Sequence, residues 1–276
     1  MTYTFGSTAI DLDARPVIMG VLNVTPDSFS DGGLHATIDD AISHAASMIE
    51  EGTDMIDVGG ESTRPGAAPV SLDEELRRTA PVIEALTRRF PQIPISIDTY
   101  KSEVAAHALD AGATIVNDIS GGVFDPKMFP LCGARHASMV LMHIQGTPRT
   151  MQANPEYTDV VAEVRAFLAA QVDHARAAGI TQIMIDVGIG FGKTLEHNLT
   201  LLRNLPAFQS IGCPMLLGVS RKSFIGALLG GVPVQDRLMG TAGAVVAGVL
   251  GGAQILRVHD VRAMREAATV AFALRP

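Results

Sequence analysis

Residues 93–117, IPISIDTYKSEVAAHALDAGATIVN, hold one structural unit and the start of the next. A short run rich in β-branched residues, 93–97, ends at Asp98. A helix-length stretch follows, Gly112 closes it, and a second run, 114–116, ends at Asn117. The runs do not alternate between apolar and polar, as expected of strands covered on both faces, the condition of a parallel sheet. Each also stops at a polar side chain, on the end where α/β folds hold their ligands.

The same unit recurs outward in both directions. Apolar runs at 17–22, 55–58, 93–97, 114–116, 139–142, 183–187, 215–219 and 254–258 alternate with helix-period segments. One segment carries a single-face stripe of Val160, Val161, Val164, Phe167, Leu168, Val172 and Ala175. Another places Leu72, Leu76, Ala80, Ile83 and Phe90 in line, opened by Ser71 and Glu74 as a capping box. Gly52, Gly112, Gly133, Gly179, Gly212 and Gly251 each precede a strand, where a helix exit favours a left-handed residue. Eight such units with no linker between them predict an α/β fold in one domain, residues 1–276, closed as a (β/α)8 TIM barrel.

Composition narrows the function. Hydrophobic residues at 47% and charged residues at 18% supply a core and carry no signature of disorder. A net charge of −8 argues against a general nucleic-acid surface but leaves room for an anionic small substrate beside a local basic cluster. Cys132 and Cys213 lack metal or redox spacing and read as small buried residues in a reducing compartment. Residues 1–15 have no basic flank before an apolar run, so no signal peptide is expected. The uncharged stretch 238–256 is long enough to span a bilayer, yet it is Ala- and Gly-rich and broken at Gly251 and Gly252. It reads as a buried helix followed by a buried strand, and a cytoplasmic protein outside the membrane is expected.

The strand ends carry the functional reading. Asn23, Asp57, Asp98, Asn117, His143, Asp186, Ser220 and His259 stand at or just past the eight runs, about 34 residues apart on average, close to the roughly 30 or more of one βα unit. In a barrel these ends share one face, where active sites lie. Ordinary strand termination accounts for one or two of them, but not for eight joined by Arg64, Lys222 and Arg257. The loops at 23–34 and 60–70, long and rich in Gly and Pro, are candidate lids. The glycine run 188–194 approaches a P-loop, but Val187 stands where that motif needs Gly, and Lys193 breaks the dinucleotide fingerprint.

The segments GVLNVTPDSFSDGG (20–33), IDVGGESTRPGA (56–67), ISIDTYK (95–101), IVNDISGG (115–122), LMHIQGTP (141–148), IDVGIGFGK (185–193), GVSRKSFIG (218–226) and RVHDV (257–261) resemble the dihydropteroate synthases in order and spacing over nearly the whole chain. One departure is Val187, where the family usually has Pro. Both residues favour an extended backbone, so the expected effect falls on the loop and not on the chemistry. The resemblance implies condensation of 6-hydroxymethyl-7,8-dihydropterin diphosphate with p-aminobenzoate, giving 7,8-dihydropteroate and diphosphate in folate synthesis. It implies pterin contacts from Asp98, Asn117, Met142, Asp186, Gly218 and Lys222, and diphosphate contacts from Asn23, Thr63, Arg64, Arg257 and His259. The p-aminobenzoate site would use Phe29, Thr63, Pro65, Phe191, Lys222 and Ser223, and Asn23 would touch Mg²⁺. Catalysis would fall to Asn23, Arg64, Lys222, Arg257 and His259. A homodimer, packed through 240–252, and a sulfonamide target are also implied.

These residue types suit those tasks. Carboxylates accept from the N–H groups of an aminopyrimidinone edge, and cations hold diphosphate. Mg²⁺ keeps several waters and binds mainly through phosphates, so few protein ligands are needed. Arg257 and His259, two apart on a strand, point to the same side. A dissociative substitution attacked by an already neutral aryl amine needs no general base beforehand, in keeping with the lack of a Ser-His-Asp or Cys-His arrangement. Three other readings stand beside this one: a pterin-binding methyltransferase domain, a Schiff-base lyase using Lys222, and a catalytically inactive pterin-binding homologue.

Overall fold

The computed structural model describes residues 1–25, 33–64 and 66–275, with only the backbone at 33–37. The chain opens with an antiparallel hairpin of β1 (Thr2–Phe5) and β2 (Thr8–Asp11). There follow β3 (Val17–Asn23), α1 (Gly33–Glu50), β4 (Met55–Gly59), α2 (Leu72–Arg89), β5 (Ile95–Asp98), α3 (Ser102–Asp110), β6 (Ile115–Asp118), α4 (Met128–Ala134) and β7 (Ser138–Met142). The second half runs α5 (Val160–Ala177), β8 (Ile183–Asp186), α6 (Leu195–Arg203), β9 (Met215–Leu217), α7 (Ser223–Leu228), α8 (Leu238–Leu250), β10 (Ile255–Val258) and α9 (Val261–Ala273). Strands β3 to β10 pair in parallel and in sequence, and β10 closes on β3. The predicted barrel is therefore present.

Alternate strand residues face opposite ways. Ile18, Ile56, Ile97, Val116, Leu141, Ile185, Leu217 and Leu256 pack outward in the large core shared with the helices. Val17, Met19, Met55, Ile115, Val140, Met184, Leu216 and Ile255 pack inside the barrel. Both sets are buried, which is why the runs are apolar throughout. One inward step beyond the interior set come Asp57, Asn117, Met142, Asp186, Gly218 and Arg257, so strand phase alone delivers these residues to the mouth.

The hairpin was not expected from the sequence. Phe5 and Leu12 join the interior cluster, with Tyr3 and Ile10 packed against it, and the Tyr3 hydroxyl donates to the Ile183 carbonyl at 2.9 Å. It thus plugs the N-terminal end of the barrel.

Local details correct four expectations. Gly52, Gly112, Gly179 and Gly212 are left-handed, but Gly133 and Gly251 are not. Gly133 lies inside α4, where a Cβ would collide with the Ala178 carbonyl, and Gly252 (φ 99°) makes the turn expected of Gly251. The capping box is half formed: the Ser71 hydroxyl accepts the Glu74 N–H, while the Glu74 carboxylate is drawn off by Arg77 and Arg78. The buried face of α2 is Glu75, Thr79, Val82, Ile83 and Leu86, displaced from the predicted stripe because Glu75 turns in to meet Lys101 and Thr99. By contrast, α5 buries Val160, Val164, Leu168, Val172 and Ala175 as predicted. Residues 238–256 form α8 and β10, and no helix among the described residues is long and apolar enough to cross a membrane.

Candidate active site

The deepest polar layer of the mouth is built around Arg257. Its Nε donates to Asp57 Oδ2 and its Nη2 to Asp98 Oδ2, each at 2.6 Å. Asn117 Nδ2 donates to the same Asp57 oxygen at 3.0 Å. The other oxygens, Asp57 Oδ1 and Asp98 Oδ1, are buried and have no hydrogen-bond partner among the described residues. Unpaired buried acceptors are costly, and this pair invites N–H donors. Burial pushes the Asp98 carboxyl up, and the Arg257 charge opposes that shift. Asp186 is likewise raised by burial, against the pull of Lys222 and of the Gly188 N–H, which donates to its Oδ1 at 2.7 Å. Met142 pairs in register with Asp186, and a Cβ on Gly218 would stand 3.7 Å from Asp186 Oδ2, so glycine keeps that edge open.

One wall comes from the segments after β8 and β9. Lys222 donates to the Ile189 carbonyl, and its Nζ lies 4.2 Å from the centre of the Phe191 ring, a cation–π contact. Burial pushes the Lys222 ammonium down to about 8, although Asp186 opposes it. Ser223 opens α7 beside it and is exposed.

Positive charge gathers on the rim. His259 Nδ1 lies 3.0 Å from Ser220 Oγ, which also accepts the His259 N–H at 3.2 Å. The hydroxyl is thus placed to donate to Nδ1, fixing a neutral ring with its proton on Nε2. Burial, then the charges of Arg257 and Arg221, hold this imidazole down at about 4, with a smaller contribution from Arg64. Arg221 is paired to Asp260 through two hydrogen bonds, at 2.9 and 2.5 Å. Its left-handed backbone (φ 58°) is secured from α8, where Thr241 accepts its N–H, and by Arg237, which donates to its carbonyl. Asn23, at the end of β3, is half-buried beside Gly59, and Thr63 is half-buried while Arg64 is exposed. Phe29 and Pro65 lie outside the described residues.

The strand-end pattern over-counts at His143, and it includes Asp57, to which the resemblance gives no role. His143, out of phase with Met142, packs edge-on against Phe167 of α5 and bonds Lys193, away from the mouth. Asp57 had been read only as a strand end, yet it forms the floor with Arg257. Its signal was its phase, two residues past the interior Met55.

With the site described, its relatives can be set beside it. A family model described as pterin binding enzyme matches residues 19–259. A dihydropteroate synthase of Synechocystis sp. is 50% identical over 271 residues, 98% of this chain and 93% of the relative. The chain belongs to the dihydropteroate synthases. Among solved dihydropteroate synthases, that of Yersinia pestis in a sulfonamide drug complex superposes with a TM-score of 0.92 at 44% identity, covering 99% of this chain and 98% of the other. That of Xanthomonas albilineans with 4-aminobenzoic acid gives 0.91 at 43%, covering 100% and 99%.

Proposed function

We propose that this dihydropteroate synthase joins 6-hydroxymethyl-7,8-dihydropterin diphosphate to p-aminobenzoate, as a transferase of folate synthesis. The observation that carries the reading is the pair of buried acceptors without donors, Asp57 Oδ1 and Asp98 Oδ1, beside Asp186 and Asn117. An aminopyrimidinone edge supplies the missing N–H groups, and Lys222 supplies a donor for its carbonyl. Diphosphate falls to Asn23, Thr63, Arg64, Arg257 and His259, and p-aminobenzoate to Phe191, Lys222 and Ser223 with Thr63, Phe29 and Pro65.

In this scheme the methylene C–O bond breaks and its electron pair leaves on diphosphate. Positive charge spreads into the dihydropterin, whose N–H groups are received by the preplaced carboxyl groups of the floor, a preorganised electrostatic stabilisation. Arg64 and Arg257 take up the charge of the leaving group, while His259, neutral in the free site, donates through Nε2. The arylamine nitrogen then forms the C–N bond and releases a proton. Positioning supplies the rest.

The donors present fit Mg²⁺ held mainly by its substrate. Asn23 offers one amide oxygen, and no cluster of three His, Cys, Asp or Glu residues occurs among the described residues. When bound, Mg²⁺ would neutralise charge on the diphosphate. A homodimer is supported by α8, which exposes Met239, Gly243, Ala247 and Leu250 without a charge between them. The reducing cytoplasm suits two free buried thiols. Diphosphate release in a coupled assay tests the function: release that requires p-aminobenzoate is expected, and no release with both substrates would instead support the inactive pterin-binding reading.

A further inference from the structure

Behind the wall lies a buried cation that the scheme above does not use. Lys193 is 2% exposed and forms no salt bridge among the described residues, although Asp186 lies close enough to favour its charge. Its ammonium donates to the carbonyls of Phe191 at 2.9 Å and His143 at 3.3 Å, and lies 3.0 Å from His143 Nδ1. Protonated, it brings three N–H donors to three acceptors, although burial pushes the ammonium down to about 7. The third contact requires an unprotonated Nδ1, and burial together with the Lys193 charge holds the His143 imidazole down at about 3.

Lys193 completes a larger pattern. Gly188, Gly190 and Gly192 are all left-handed, so successive carbonyls of the loop point in different directions, and each is captured by a different side chain. Lys222 takes Ile189, Gln152 takes Gly190 at 2.9 Å, Lys193 takes Phe191, and the Tyr157 hydroxyl takes Gly192 at 2.8 Å. The Gly190 N–H donates to Asn198 Oδ1 at 2.7 Å. A bare solvated loop has no need of five such ties.

We propose that Lys193 is a positioning residue for the p-aminobenzoate half of the reaction. By fixing the Phe191 carbonyl against His143 it holds the Phe191 ring and the Ile189 carbonyl against Lys222, so that this wall exists before substrate arrives. Lys193 touches neither substrate. The proposal rests on the assignment of Phe191 and Lys222 to the p-aminobenzoate pocket, and the Lys222→Met variant tests that assignment separately.

The experiment is steady-state kinetics of the full chain, varying each substrate in turn, with a thermal melt of every variant. In Lys193→Met, KM for p-aminobenzoate should rise ~10-fold or more and KM for the pterin diphosphate, which Lys222 also serves, by clearly less, because misplacement of a positioned group is felt most by the substrate it positions. A lower Tm with both KM values unchanged, or an equal rise in both, would make Lys193 a structural residue only and overturn the proposal. Should Lys193→Met not fold, Tyr157→Phe decides. It removes one hydroxyl from the same set of ties and should raise the p-aminobenzoate KM alone by ~3-fold; an unchanged value refutes the idea.

Discussion

Two loops at the barrel mouth are held in contrasting ways. After β8, the carbonyls of residues 189–193 are captured one by one by side chains. After β4, the segment 60–71 is tied at its ends. Arg78 donates to the Gly60 carbonyl, Glu61 receives Tyr100 and Lys101, and Lys101 also reaches the Val70 carbonyl and Glu75. Between those anchors the ties among the described residues are Gly66 N–H to the Pro148 carbonyl at 3.2 Å, Ala67 N–H to the Arg64 carbonyl at 3.0 Å, and a long contact from Arg64 N–H to Ser62 Oγ. Arg64 is exposed, and no acidic side chain pairs with it among the described residues. One wall is finished in advance. The other holds a cation ready at the middle of a span fixed at both ends, and an anion is what would settle it.

The comparison can be broken at several points. The largest effect is expected at Asp186, which anchors the start of the finished loop. Asp186→Ala should cost roughly 2–5 kcal/mol of pterin binding while leaving Tm near that of the wild type, since one partner of a buried charge-assisted contact is lost. Calorimetry with unchanged pterin affinity would remove Asp186 from the pterin edge. Next comes Lys222, which joins the finished loop to the α7 start. Lys222→Met keeps most of the stem but loses the charge, and should lower turnover about 100-fold with weakened binding of both substrates. Normal turnover would leave Lys222 a solvated residue at a helix start.

A smaller effect tests the loop after β4 directly. If diphosphate with Mg²⁺ settles the loop that carries Arg64, p-aminobenzoate should bind about 10-fold tighter once diphosphate joins a pterin analogue, a coupling of ordinary allosteric size. Equal affinities in the two titrations would show that both walls are preformed and erase the contrast.

The smallest effect is in pH. His259 falls from 6.5 to about 4 in the folded protein through burial and neighbouring charge. The unfolded chain therefore binds more protons between those values, and stability from this group is full above about pH 6.5 and lost as pH falls toward 4. The difference in Tm between wild type and His259→Asn should be flat above pH 6.5 and shrink below it. A difference independent of pH would mean that the imidazole is not held neutral.

Much of this was legible in the sequence, for physical reasons. Strands buried on both faces must be apolar throughout, so they stand out, and a one-face helix such as α5 declares itself by its period. The polar strand ends follow from strand phase. What escaped depended on distant partners. Asp57 looks like any strand-end Asp until Arg257, 200 residues away, is placed against it. The β1–β2 hairpin has only four residues per strand, too short for alternation to speak. Lys193 sits in a run that resembles a phosphate-binding loop, and only the fold sets His143 behind it. Phe29 and Pro65 are outside the described residues, so their part in the pocket rests on resemblance.

The hairpin that plugs the barrel floor has a consequence for traffic. A cavity sealed at one end is a blind well, and whatever goes in first lies deepest. The carboxylate floor lies one inward strand step above the packed interior side chains that rest on the plug, while Lys222, Phe191 and Ser223 stand in the loops nearer the opening. With the pterin on that floor as proposed, the second substrate would overlie it, and the pterin could not exchange past that occupant. Once the two are joined, the product has the same single way out, so the pterin end, first to arrive, is the last to leave.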